Sequence, residues 1–66
     1  MFVEVMIETK SVIVPNGKKE TIEHTFTGCG QSEQKAKDRA ERELSHYKNN
    51  KYVLNTEIIN INTITR

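Results

Sequence analysis

Between Phe2 and Val14 the chain alternates, with Val3, Val5, Ile7, Thr9 and Ile13 on one parity and Glu4, Glu8 and Lys10 on the other. A period of two belongs to a strand with one buried face, so this stretch predicts a first β-strand. Thr21 to Thr27, rich in β-branched and aromatic residues, predicts a second. From Tyr52 the alternation returns, with Tyr52, Leu54, Thr56 and Ile58 set against Val53, Asn55 and Glu57. Adjacent Ile58 and Ile59, followed by Ile61, break that phase and predict a bulge or bend. The tail, Asn60 to Arg66, reads either as an extension of this strand or as an edge that pairs with another chain.

Only Ser32 to Lys48 has a helical pattern. It is made of good helix formers without Gly or Pro, and Ser32 stands where an N-cap is needed. Glu33 in the first turn and Lys48 in the last suit the helix dipole. At about 100° per residue, Ala36, Ala40, Leu44 and Tyr47 fall within an arc of roughly 80°. That narrow apolar stripe predicts one helix lying on a sheet, with the alanines allowing close approach. Asn49-Asn50 leads out of it, Asn being suited to a left-handed cap.

Pro15-Asn16-Gly17-Lys18 predicts a tight hairpin turn of type I′, which requires positive φ at both Asn16 and Gly17. With those two residues central, Ser11 opposes Ile22, Thr9 opposes His24 and Ile7 opposes Phe26. Val3, Val5, Ile7, Ile22 and Phe26 then share the core face, with His24 at its edge, while Lys10 meets Glu23 on the other face. A three-residue loop with a bulge at Gly17 would instead join Ile22 and Phe26 to Met6 and Val12; the first register is preferred. The helix carries the chain from the second strand to the third, and a right-handed crossover sets the third beside the first. The expected fold is α+β, ββαβ: a three-stranded, mainly antiparallel sheet in order 2-1-3 with one helix on one face.

The chain has 66 residues, which allows a single small domain over residues 1–66 and one small core. Oligomerisation is a natural supplement at this size. A net charge of +1 with 29% charged residues excludes a strongly basic nucleic-acid binder and an acidic mimic, so any electrostatic partner must be read by a local patch. One cysteine rules out an internal disulfide and favours a reducing, cytoplasmic setting. No apolar run approaches the roughly 18 residues of a membrane span, and no secretory leader is visible.

The helix carries a second stripe. Lys35, Arg39, Arg42 and His46, spaced four, three and four, cluster on one flank and form a candidate phosphate-facing surface. Against it stands self-pairing: Asp38 with Arg42, Glu33 with Lys37, and Arg39 with Glu43. Gly28-x-Gly30 before a helix has the look of a phosphate cradle, but the third glycine of the dinucleotide fingerprint is replaced by Glu33, so a glycine-rich strand-to-helix turn is the better reading. Cys29, His24 and His46 lack the spacing of a metal or nucleophile site. No cofactor, metal, small-molecule substrate or enzymatic activity is expected. Phe2, Met6, Val12 and Val14 share the outer sheet face and form a candidate interaction surface.

The run from Phe26 to Leu44 resembles the last-strand-to-second-helix segment of double-stranded-RNA-binding domains. In that family a glycine-containing strand end is followed by Ser-Lys-Lys-x-Ala-Lys, then by alanines and a leucine. Ser32, Ala36, Lys37, Ala40 and Leu44 match in spacing, while Glu33 and Gln34 replace the first two lysines. The resemblance covers under a third of the chain and implies contacts to duplex phosphates from the helix start. Two functional expectations follow. One is a non-enzymatic binding module contacting nucleic-acid backbone through Lys35, Lys37, Arg39, Arg42 and His46. The other is a protein-interaction module, of the kind small viral or mobile-element proteins provide, that dimerises or docks on a host protein through its outer sheet face.

Overall fold

A computed structural model describes residues 1–66. The chain forms β1 (Val3–Ile13), β2 (Glu20–Gly30), α1 (Glu33–Lys48) and β3 (Val53–Thr65). The strands make one sheet in the order β2-β1-β3, antiparallel throughout, with the helix on one face. This is the expected ββαβ architecture.

The hairpin has the expected register, with Ile7 opposite Phe26, Thr9 opposite His24 and Ser11 opposite Ile22. Its turn differs. Pairing stops at Ile13 and Glu20, leaving a loop over 14–19, and positive φ occurs only at Gly17 (φ 81°), so Asn16 does not enter a type I′ turn. Pro15 has no N–H to give, so a Pro15–Lys18 pair cannot close the ladder. Val14 instead donates its N–H to the Tyr52 carbonyl, on the side of the third strand.

Ser32 caps α1, accepting the Lys35 N–H at 3.3 Å. Asn49 ends the helix in right-handed geometry (φ −79°), not as a left-handed cap. The core consists of Val3, Val5, Ile7, Phe26, Ala36, Ala40 and Leu44, with Tyr47 packed against it; Ile22, expected among them, is half-buried. Nearer the hairpin loop the core face turns polar. Buried Thr9 donates to the His24 carbonyl at 3.0 Å, and buried Ser11 donates to Thr56 Oγ1 at 3.1 Å.

Gly28 and Gly30 lie in the last residues of β2, not in a turn. They are buried beneath the first half of α1, where a Cβ on Gly28 would collide with the Ala36 carbonyl oxygen and the Ala40 amide nitrogen. A glycine facing two alanines brings helix and strand backbones together. The helix therefore settles over β2 and β1 and barely touches β3.

β3 runs unbroken to Thr65 and pairs with β1 along its whole length. The expected bulge is present: Ile58 faces Thr9 and Asn60 faces Glu8, so Ile59 has no partner. A second irregularity leaves Leu54 without one, between Val53 opposite Ile13 and Asn55 opposite Val12. Val53, Thr56, Ile58, Ile61, Thr63 and Thr65 stand opposite odd-numbered β1 residues and so share the helix side.

Candidate functional site

Lys35, Arg39, Arg42 and His46 are all exposed on one flank of α1, as their spacing requires. From Lys35 to His46 the row is about 16 Å long at 1.5 Å per residue. It faces the β2 side of the molecule. The Arg39 guanidinium donates to the Cys29 carbonyl on β2, and the Lys35 Cβ lies 3.0 Å from where a Cβ on Gly30 would stand. Lys48, by contrast, borders a shallow groove with Val53, Leu54, Asn55 and Thr56 of β3. Lys37 is roughly 170° around the helix from the middle of the row, so it belongs to the opposite flank and not to the same surface.

The self-pairing expected on this helix does not form. The only salt bridge in the protein joins Arg66 to Glu4 at 3.7 Å, at the far end of the sheet. Asp38, the expected partner of Arg42, accepts a hydrogen bond from Gln34 Nε2 at 2.9 Å, and Arg39 is held by a main-chain carbonyl in place of Glu43. Lys35 and Arg42 therefore present unpaired charges from a rigid helix. The Lys10–Glu23 pair stands in register, yet its charges make no ion pair either.

The histidines and the cysteine do not converge. Cys29 pairs with Glu4 in the register and points to the outer face, its Sγ 3.8 Å from Glu4 Oε2. His24 lies on the helix side, edge-on to Phe26 (4.6 Å between ring centroids) and stacked on Tyr47 at 6.0 Å, though the residue itself stays exposed. No three His, Cys, Asp or Glu side chains come together as a metal site needs. Tyr47 Oη is buried without a hydrogen-bond partner. A buried unsatisfied hydroxyl opposes folding, so Tyr47→Phe is expected to leave stability unchanged or raise it by about 1 kcal/mol. A urea titration that moved the midpoint well below the wild type would show that the hydroxyl has a partner.

The outer-face apolar set is spread along the whole of β1. Phe2 is 61% exposed beside the C-terminal residues, whereas Met6, Val12 and Val14 are half-buried. Met6 is flanked by Thr27 and Asn62, and Val12 by Thr21 and Asn55, with Glu8 and Lys10 between the two. Glu4, Glu8 and Lys10 thus interrupt the row, separating Phe2 and Met6 from each other and from Val12 and Val14, and the four do not form one continuous patch. The exposed large apolar residues are Met1, Phe2, Tyr52 and, in β3, Leu54, Ile58, Ile59 and Ile61. In the sequence only the broken phase at Ile58-Ile59 and Ile61, read as a bulge or bend, set any of these β3 residues apart.

The chain matches no protein-family model, no curated protein and no solved structure. No helix is long and apolar enough to cross a membrane. Of the residues that carry the resemblance to double-stranded-RNA-binding domains, Ser32 is the helix cap, and Ala36, Ala40 and Leu44 are buried against the sheet.

Proposed function

We propose that this protein is a small binding module that engages nucleic-acid backbone through the basic flank of α1. The observation that carries the proposal is the row Lys35, Arg39, Arg42 and His46 on one helix flank, with no carboxylate paired to any of them. Its length of about 16 Å is enough to bring more than one backbone phosphate of a duplex within reach. Arg39 is the fixed point of the row, because its bond to the Cys29 carbonyl sets its orientation. Lys35 and Arg42 are free to swing onto phosphates. Backbone contacts position a protein without reading bases, so binding is expected to be indifferent to sequence. With a net charge of only +1, affinity rests on the local row and falls steeply with salt.

The test is fluorescence anisotropy with labelled RNA and DNA duplexes across a salt titration. Arg39 is kept, since its loss would also free the end of β2. Lys35→Ala with Arg42→Ala is expected to weaken binding and to reduce the slope of log K against log salt by about 0.9 for each phosphate contact removed. A double variant with the wild-type slope, or a wild type that binds neither duplex at low salt, ends the proposal.

A further inference from the structure

We infer that β3 is a self-association edge, and that its occupant is β3 of a second copy of this chain, antiparallel about a twofold axis between Ile59 and Asn60. Three observations lead there. β3 is an edge strand of 13 residues with one ionisable side chain, Glu57, whereas natural edges are commonly short or guarded by charge or proline. On its helix side Ile58 and Ile61 remain 49% and 46% exposed, because α1 sits over the other two strands. The core comprises only seven buried hydrophobic residues, two of them alanine, which is little for a chain of this length.

The bulge selects the partner. Directly opposed residues in an antiparallel pair share a face, so a regular strand meets its own copy with residues of like parity. At Ile59 the parity of β3 inverts: Thr56 and Ile58 share the helix side with Ile61 and Thr63, while Asn55 and Glu57 share the outer face with Asn62 and Ile64. Pairing along the full strand must then set residues before the bulge against residues after it. A twofold axis centred on the bulge achieves this from Asn55 to Ile64. Ile58 meets Ile61 of the second copy, Thr56 meets Thr63, Glu57 meets Asn62 and Asn55 meets Ile64. Moving the axis by half a residue sets helix-side residues against outer-face ones. Moving it by a whole residue sets Ile61 against Thr56 or against outer-face Asn60, so only this register pairs Ile58 with Ile61. The strand is thus complementary to itself in one register, as an isologous interface requires.

The product is a six-stranded sheet with both helices on the same side and four isoleucines meeting across the axis. Each Glu57 faces an amide, so no like charges oppose one another. Growth stops at two copies. The remaining edges belong to β2, where Arg39 occupies the Cys29 carbonyl and Glu20 and Glu23 add charge.

Sedimentation velocity over a dilution series is expected to give twice the chain mass. Ile58→Lys with Ile61→Lys, both at exposed positions, should return the single-chain mass with an unchanged circular dichroism spectrum. In a Cys29→Ser background, Glu57→Cys with Asn62→Cys should oxidise to a covalent dimer, and Glu57→Cys alone should not. Within one chain those two positions are about 16 Å apart, beyond the reach of a disulfide. A wild type at single-chain mass throughout overturns the inference, as does a dimer indifferent to the lysine pair. Absence of the cross-link in the double-cysteine variant overturns it too, and that arm decides the matter even where the lysine variant does not fold.

Discussion

Gly28→Ala is expected to leave the chain unfolded at room temperature. The added methyl would sit within the van der Waals shells of the Ala36 carbonyl oxygen and the Ala40 amide nitrogen, and approach the Arg39 Cβ at 3.0 Å. Two of these three neighbours are backbone atoms in the middle of a helix, which no rotamer change can relieve. Relief requires α1 to lift off β2, and Phe26, Leu44 and the two alanines would lose their packing together. Overpacking a core commonly costs about 1–3 kcal/mol where side chains can yield, and a core of this size supplies only about 3–5 kcal/mol. Gly17→Ala is the control. Gly17 has positive φ (81°) and open space around it, so its cost is the backbone term alone, about 1 kcal/mol. Far-UV circular dichroism and urea titration of both variants make the check. A folded Gly28→Ala protein with a wild-type midpoint would mean that helix and strand lie further apart than described.

The same contact explains which parts of the fold could be read in the sequence. Periods of two and 3.6 located the three strands and the helix, and the hairpin register obtained by centring the turn on Asn16 and Gly17, which puts Ile22 and Phe26 on the core face, is the one observed. The turn itself was misread, because the Asn-Gly signal was weighed without the missing donor at Pro15. The lateral position of the helix was also hidden. Ala36 and Ala40 announced a close approach, but its partner is Gly28, which sequence reading assigned to a turn because glycine weakens a strand everywhere except beneath another backbone. Once Gly28 draws α1 onto β2, the isoleucines of β3 are left bare. Their exposure is thus a tertiary consequence of a residue some thirty positions away.

The candidate site divides in a similar way. A spacing of four, three and four placed Lys35, Arg39, Arg42 and His46 on one flank, since helix geometry alone decides that. Lys37 was grouped with them on the resemblance to double-stranded-RNA-binding domains and stands on the other flank. Whether the row is neutralised by its own helix could not be settled from spacing. The i, i+4 pairs compete with other partners, and here Gln34 takes Asp38 while a β2 carbonyl takes Arg39. Exposed ion pairs contribute little, about 0–1 kcal/mol, so one better-placed dipole is enough to displace them.

Ile7→Ala and Ile61→Ala, at directly opposed positions on β1 and β3, are expected to respond differently to protein concentration. Ile7 is the largest fully buried side chain, 1% exposed, between Phe26 on one side and Ile61 on the other. Removing its methyl groups should cost about 2–5 kcal/mol, which brings a domain of this size close to its unfolding midpoint without denaturant. That loss belongs to the single chain. It lowers the urea midpoint by the same amount at every protein concentration and preserves the upward drift of midpoint with concentration that a dimer shows. Ile61 is 46% exposed in one chain, so truncating it there costs about 1 kcal/mol by buried area. In the dimer its remaining surface is covered by Ile58 of the second copy. Ile61→Ala should therefore cost more as protein concentration rises, and its midpoint should lose most of that drift. Urea titrations of the wild type and both variants over a hundredfold range of concentration separate the two effects. No drift in any of the three would assign the stability of the fold to the single chain, and equal drifts in all three would place the association away from Ile61; either outcome removes β3 as its second source.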